Sequence, residues 1–284
     1  MKSTIDWCES NYAITTYIAE YWNTFSGLYI VFTAIIFKYM NGKWLNANIK
    51  YKDNFLKLCN YLFTVGIGTM LFHGTLLYPF QLLDELPMLL VANQYIRLLL
   101  QLKITSKCID DLSYFKNITR FINIPLVVIS TIYFIHPNLQ IITFHITLKV
   151  VESAVLIILY NLSLSLNKIA YYQICEQYTQ SNSNCMYSLV EDYNKVSKNS
   201  MFKNTQKNLK KYIDLRTKLK NLIRQSLYFY SSSLVLWSVE NLFCEYVSQY
   251  VQLHAIWHLL SSIGIYHLNM IIIYYIEIDK LIYP

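Results

Sequence analysis

Seven apolar runs, of which the fourth is short, restrict the folds available to this chain. A helix crosses the hydrocarbon core of a bilayer with roughly 17–25 mostly apolar residues, and its backbone satisfies its own hydrogen bonds. Charged residues make up 14% of the 284 positions, well below the roughly 25% of soluble domains. We therefore predict an all-α, polytopic membrane protein with seven transmembrane helices. They lie at about Tyr21–Phe37, Leu58–Leu77, Leu82–Leu102, Phe121–Ile135, Leu139–Leu164, Leu227–Val247 and Val251–Ile276.

Lys and Arg residues cluster in alternate connections between the apolar runs. They follow the first, third and fifth runs, and the longest basic stretch extends from Lys195 to Arg224. Cytosolic loops carry the excess of Lys and Arg, so we expect a lumenal N-terminus and a cytosolic C-terminus. The net charge of +7 is spread between apolar runs, which argues against a nucleic acid as partner. Asp6 and Glu9 interrupt any apolar signal sequence, so we expect the first run to act as the targeting segment.

Composition divides the chain into four parts. Residues 1–20 form a lumenal tail, residues 21–165 hold the first five predicted helices, and residues 226–284 hold the last two with a short C-terminal tail. Residues 166–225 are rich in Asn, Ser, Lys and Gln, so we predict a basic, low-complexity cytosolic loop that is mostly disordered. A basic helix around Lys207–Ile223 would suit anionic lipid headgroups, although a solvated insertion is the simpler interpretation.

Three histidines and an aspartate lie at one predicted side of the membrane. His254 and His258 stand four residues apart and share a helical face, His73 lies near the end of the second run, and Asp84 lies near the start of the third. Three histidine ligands leave a zinc ion one open position, where hydrolytic chemistry takes place. Ionisable groups within a membrane are costly and mark functional sites. We predict a zinc site of His73, His254 and His258 with Asp84 close to it, rather than interfacial histidines bonded to water.

Oxygen-bearing side chains are concentrated in the N-terminal tail. Asp6, Glu9 and Asn11 lie in one short stretch, and Glu20 stands at the start of the first run. Hard oxygen ligands of this kind suit calcium. Taken alone, the cluster is also what a solvated acidic terminus looks like, and that is the simpler interpretation.

Three blocks of sequence resemble the alkaline ceramidase family of membrane hydrolases. They are IDWCESNY with YIAEYWNTFSGLY, GTMLFHGTL with LLDELPM, and ENLFCE with HAIWHLLSSIG, in the order of the family. The resemblance implies an enzyme of internal membranes, the endoplasmic reticulum or Golgi, with a ceramide-like lipid as substrate. It implies that an amide bond is cleaved to give a sphingoid base and a fatty acid. It covers the chain except the 166–225 insertion and the fourth and fifth runs.

The resemblance also implies roles for individual residues. Zinc falls on His73, His254 and His258, and Asp84 falls at the position that handles the proton. Thr69 stands where the family usually has a serine that helps to hold the developing oxyanion, and we expect threonine to retain activity. A Cys8–Cys244 disulfide is implied as well. The implied calcium ligands are Asp6, Glu9, Asn11, Glu20 and the backbone oxygen of Trp7.

Other polar residues receive plainer interpretations, and two other functions are considered. We expect Glu85 to support the turn before it and His267 to be a hydrogen-bonded core histidine, whereas Glu240 has no assigned role. A receptor resembling the progestin and adiponectin receptors would keep a related three-histidine zinc site. A transporter with a structural zinc predicts a closed four-ligand site. The N-terminal block and DELPM favour the ceramidase family over both.

Overall fold

The computed structural model describes residues 1–100, 200–247 and 250–282, together with scattered helical positions between 139 and 160. The predicted fourth span, Phe121–Ile135, and residues 161–199 lie outside the described residues. Within these ranges the regular structure is helical, as predicted. The described helices are α1 (Tyr21–Met40), α2 (Gly42–Ala47), α3 (Ile49–Thr75), α4 (Tyr78–Leu100), α5 (Ser200–Val247) and α6 (Leu253–Ile282).

Two of the described helices are long and apolar enough to cross a bilayer. They are Ile49–Thr75, which is α3, and Leu253–Leu281, which is nearly all of α6. The helical class is confirmed for the described residues. The number of seven transmembrane helices stays a prediction.

The helices pack around one apolar core. α3 contacts α1 and α4, α6 contacts α1, and α5 runs alongside α6. Small residues bring α1 and α3 close together, because a Cβ at Gly66 would lie 2.8 Å from the backbone nitrogen of Val31. Large side chains fill the remaining volume and are fully buried, among them Phe37, Phe55, Leu58, Leu62, Ile96 and Tyr275.

α5 includes the basic helix considered around Lys207–Ile223 and shortens the stretch that composition predicts to be disordered. It extends from Ser200 through the sixth apolar run to Val247, with a kink at Phe243. Residues 200–225, which composition assigns to the low-complexity loop, are therefore helical. Tyr212 and Leu219 explain the difference, because they lie seven residues apart on one helical face and are buried in the core. The rest of the 166–225 loop lies outside the described residues.

The connection between α3 and α4 lies slightly earlier than predicted. Leu76 ends α3 in the left-handed region, with φ of 51°, and α4 begins at Tyr78 with Pro79 in its first turn. The predicted spans, which end at Leu77 and resume at Leu82, therefore place the connection slightly too late. The N-terminal tail pairs with this connection, since the N–H of Ser3 donates to the carbonyl of Leu76 at 2.9 Å. The tail thus lies over the end of the bundle that holds the α3–α4 connection, called here the site end.

Candidate metal centre and its cavity

Three histidines from distant parts of the sequence meet at the site end. His73 lies in the last turn of α3, and His254 and His258 lie in the first two turns of α6. Their candidate ligand atoms all lie within 4.8 Å of one another. Each of the three residues is at most 2% exposed. The spacing and the burial fit one metal ion held between three imidazoles.

The second nitrogen of each imidazole faces a different partner. Nδ1 of His73 lies 2.5 Å from Oε2 of Glu20, and Nδ1 of His258 lies 2.6 Å from Oγ of Ser26. Nδ1 of His254 lies 3.5 Å from Oε2 of Glu240. Metal-binding histidines usually direct their other nitrogen to a carboxylate, a hydroxyl or a carbonyl. The arrangement leaves Nε2 of each ring as the available ligand, and this donor set fits zinc.

Asp84 lies on α4 and is hydrogen-bonded to Thr69 of α3. The Thr69 hydroxyl lies 2.6 Å from Oδ1 of Asp84 and 2.9 Å from the carbonyl oxygen of Val65. Both side chains are buried. A hydroxyl has one proton to donate, so Asp84 and the Val65 carbonyl compete for it. Thr69 therefore fixes the orientation of the Asp84 carboxylate in this structure.

A cavity of about 450 Å³ connects these groups to the apolar interior. His254, His258, Thr69 and Asp84 lie on its wall. Most of the remaining wall is aliphatic or aromatic, with Ile30, Leu62, Val91, Phe144, Leu148 and Ile271 among its residues. Two indole rings flank His254, with the centroid of Trp7 at 4.0 Å and that of Trp257 at 5.0 Å. The cavity thus has one polar patch in an otherwise apolar wall.

The acidic residues of the N-terminal tail are brought against the start of α1. Glu9 accepts hydrogen bonds from the backbone N–H groups of Trp22 (2.7 Å) and Asn23 (2.9 Å), which no helical carbonyl can satisfy. Oε1 of Glu20 accepts a hydrogen bond from the backbone N–H of Trp7 at 3.0 Å, while its Oε2 faces His73. Burial raises the pKa of Glu9, although its two backbone donors oppose the effect. A cation beside this carboxylate would favour its charged form.

The remaining predicted calcium ligands lie at the surface of the tail. The side-chain amide of Asn11 donates to Oδ1 of Asp6 at 2.9 Å, and Lys2 lies 3.9 Å from the other carboxylate oxygen of Asp6. Cys8, in the same tail, is paired with Cys244 at the end of α5, with 5.3 Å between their Cα atoms. The tail is therefore tied to both α1 and α5.

The structure adds detail to two interpretations from the sequence. The buried side chain of Glu85 lines the cavity and accepts hydrogen bonds from Gln140 and from Gln81, which lies in the first turn of α4 beside the α3–α4 connection. His267 is not hydrogen-bonded at Nδ1, which has no partner among the described residues; its ring stacks on Phe229.

Two residues near the histidines are missed by the sequence interpretation. Sequence patterns do not single out Ser26, and they assign Glu240 no role. The sequence does contain a pattern that includes Ser26. The polar residues Glu20, Asn23 and Ser26 are spaced by three and therefore lie toward one side of α1.

These features describe a helical membrane protein with a buried three-histidine centre beside an apolar cavity. The chain belongs to the ceramidase family, whose sequence profile it matches over residues 1–281. This confirms the family that the three sequence blocks indicated, and it does not favour the receptor alternative.

Individual relatives carry the same description. The chain is 27% identical over 288 residues to "Putative alkaline ceramidase dcd3B" of Dictyostelium discoideum, covering 95% of this chain and 86% of the relative. It is 24% identical over 267 residues to alkaline ceramidase 1 of Homo sapiens, covering 92% and 78%. A shorter match to alkaline ceramidase YPC1 of Saccharomyces cerevisiae is 46% identical over 87 residues, covering 31% and 26%.

Proposed function

We propose that this protein is a zinc-dependent amidohydrolase that cleaves the amide bond of ceramide to give a sphingoid base and a free fatty acid. The observation that carries the proposal is the convergence of three buried imidazoles within 4.8 Å, two of which, His254 and His258, line the cavity together with Asp84. Membership of the ceramidase family supports the choice of substrate.

His73, His254 and His258 would hold the zinc ion. Zinc in a three-histidine site makes water acidic enough to supply hydroxide near neutral pH and polarises carbonyl oxygens as a Lewis acid. Glu20, Ser26 and Glu240 would fix the three ring orientations through Nδ1. The protein's own contribution is thus a rigid, buried ligand set.

Asp84 is the group that would move the proton. Amide hydrolysis forms a bond from the water oxygen to the carbonyl carbon, breaks the C–N bond and transfers a proton from the water to the leaving nitrogen. The Asp84 carboxylate would accept that proton and return it to the amine. Thr69 holds the carboxylate while it is charged, and its hydroxyl would turn to the substrate oxygen once Asp84 is protonated.

The cavity suits a lipid. Its volume of about 450 Å³ lies within the roughly 300–1,000 Å³ of typical ligand sites. Apolar side chains from α3, α4, α5 and α6 form most of its wall, so acyl chains would lie there while the amide stays beside the polar patch.

We further propose a calcium ion at the N-terminal tail, held by Asp6, Glu9, Asn11, Glu20 and the backbone oxygen of Trp7. The closeness in sequence of Asp6, Glu9 and Asn11 and the burial of Glu9 support it. Calcium should raise the melting temperature of the purified protein, and Asp6→Asn should weaken this effect. An identical response to magnesium, or none to calcium, would contradict the site.

We also propose how the chain is arranged in the membrane. Seven spans, with the N-terminus lumenal and the C-terminus cytosolic, place the site end at the lumenal face of an endoplasmic reticulum or Golgi membrane. The two span-length helices and the distribution of Lys and Arg support it. A glycosylation acceptor added at the N-terminus should be modified, and one added after Pro284 should not.

A panel of N-acyl lipids incubated with the purified protein tests the activity. We expect fatty acid release from ceramide that a zinc chelator stops and added zinc restores. His258→Ala and Asp84→Asn should abolish release, whereas His267→Gln, which changes a histidine outside the centre, should retain it. Release that is insensitive to the chelator and to His258→Ala would contradict the zinc mechanism, and no release from any lipid would contradict the activity.

A further inference from the structure

Glu85 is a second carboxylate in the cavity wall that the proposed mechanism does not use. It is 4% exposed and follows Asp84 directly on α4. No Lys, Arg or His side chain among the described residues forms an ion pair with it. Burying a carboxylate without a positive partner is costly unless several donors surround it. The donors that surround Glu85 therefore decide how much of this cost is offset.

Two amide side chains hold Glu85 in place. The amide nitrogen of Gln81 donates to Oε1 of Glu85 at 2.9 Å, and that of Gln140 donates to Oε2. Both glutamines are fully buried, and both also bond to Thr4 of the N-terminal tail. The carboxylate is thus fixed by three separate segments of the chain, which preorganises it for a contact in the cavity.

The glutamines leave part of the acceptor capacity of Glu85 unused. A carboxylate offers about four acceptor positions, and the two glutamines occupy two of them. Asp84, its neighbour, is engaged by Thr69. A hydrogen-bond donor carried into the cavity by a bound lipid would find acceptor positions of Glu85 still open.

We propose that Glu85 accepts a hydrogen bond from a hydroxyl group of the sphingoid headgroup and so selects hydroxylated N-acyl lipids. The inference rests on the proposed function, because ceramide carries hydroxyl groups on C1 and C3, on either side of the carbon that bears the amide nitrogen. A lipid without the hydroxyl would leave the buried carboxylate unpaired, and sites built for a hydroxyl reject such analogues strongly.

The test compares Glu85→Gln with the parent protein on three substrates: ceramide, 1-deoxyceramide and 3-deoxyceramide. We expect kcat/KM for ceramide to fall by about ten- to a hundredfold, the loss typical of a hydrogen bond to a charged group. On one of the two deoxy lipids the substitution should have an effect smaller than about threefold, because the hydroxyl that it recognises is already missing. Glu245→Gln, at an exposed position, is the matched control and should leave all three rates unchanged.

Binding separates this inference from the hydrolase proposal. The same three lipids are titrated in nanodiscs against His258→Ala and against the double variant with Glu85→Gln, so that recognition is measured without turnover. If Glu85→Gln weakens binding of ceramide more than binding of one of the deoxy lipids, the role of Glu85 is supported even if no lipid is hydrolysed. Equal losses on all three lipids, or none, would overturn it. Glu85→Asp, which withdraws the carboxylate by one methylene, provides the same comparison if Glu85→Gln does not fold.

Discussion

The three histidines are held by partners of different chemistry. Glu20 offers His73 a carboxylate at 2.5 Å, Ser26 offers His258 a hydroxyl at 2.6 Å, and Glu240 lies 3.5 Å from His254. A carboxylate partner raises the basicity of an imidazole ligand more than a hydroxyl does. The Glu240 contact is the longest of the three, and the facing atoms, Oε2 and Nδ1, have no hydrogen-bond partner among the described residues. We expect metal binding to shorten the distance between these two atoms more than it shortens the other two contacts.

Replacing Glu240 tests whether it orients His254. Glu240→Gln should weaken zinc affinity by about 10- to 100-fold, because the imidazole loses its charged partner. The measurement is the chelator concentration that removes half of the zinc from purified protein. Glu245→Gln, at an exposed position of the same helix, is the control. Equal zinc retention by the two variants would show that Glu240 does not orient His254.

Thr69 allows a second test at a single side chain. Thr69→Ser keeps the hydroxyl that bonds to Asp84 and should keep ceramide turnover within about threefold. Thr69→Ala removes the donor and should lower kcat by about tenfold or more. The two variants are compared at saturating ceramide. Similar rates for both would mean that the hydroxyl plays no part.

The sequence predicts the inner residues of the centre better than their partners. The i, i+4 spacing of His254 and His258 places both on one face of a helix before any fold is known. Ser26 contacts His258 across 232 positions of sequence, and no local pattern encodes such a pairing. The contacts of Glu240 and Glu85 are hidden for the same reason, because they involve residues from other parts of the chain.

At the scale of elements, the contact between α3 and α4 positions Asp84. Gly68, next to Thr69, lies against the backbone of α4: a Cβ there would collide with the Leu83 carbonyl and lie 2.7 Å from the backbone nitrogen of Asp84. Backbone atoms cannot turn aside as a flexible side chain can. The absence of a side chain at Gly68 therefore sets the separation of the two helices at the site.

Gly68→Ala should force α4 away from α3. We expect a loss of about 1–3 kcal/mol of stability, as for other overpacked contacts, together with a large loss of turnover because Asp84 moves. The control is Gly74→Ala in the same helix, where a Cβ would meet Thr24 atoms at an ordinary 3.6 Å. Melting temperature and turnover are measured for both. Parent-like behaviour of Gly68→Ala would show that the contact is looser than the structure indicates.

Helix boundaries show where composition misleads. Apolar runs locate α1, α3, α4 and α6 to within a few residues on the site side, because membrane-length hydrophobicity is a strong signal. The same criterion predicts the start of α5 at Leu227, whereas the helix begins at Ser200. Residues 200–225 are polar on average, and this average hides the helical spacing of the buried Tyr212 and Leu219. A polar helix that packs on its neighbours is recognised by the period of its few apolar residues rather than by their number.

For the molecule as a whole, the N-terminal tail joins segments that are distant in sequence. Ser3 bonds to the α3–α4 connection, Thr4 bonds to Gln81 of α4, and Cys8 is paired with Cys244 of α5. Trp7 lies against His254. The tail thus closes the site end over the histidines, and its attachment bears on the stability of the whole bundle.

The Cys8–Cys244 pair should be detectable on a gel and should stabilise the whole protein. A disulfide across 236 positions should shift electrophoretic mobility between reducing and non-reducing gels, and Cys8→Ser and Cys244→Ser should each abolish the shift. Loss of the link should also cost about 2–5 kcal/mol of stability. Cys59→Ser, at a buried free cysteine, is the control for the gel. A shift that persists in Cys8→Ser would assign the link to other cysteines.

We infer that the three histidines bind one metal ion, and the zinc content of the purified protein tests this. Purified parent protein that hydrolyses ceramide should contain about one zinc ion per chain by elemental analysis. His73→Ala, His254→Ala and His258→Ala should each retain little of it, and His267→Gln should retain it all. Zinc-free protein that still hydrolyses ceramide, or full zinc content in the three alanine variants, would contradict the claim.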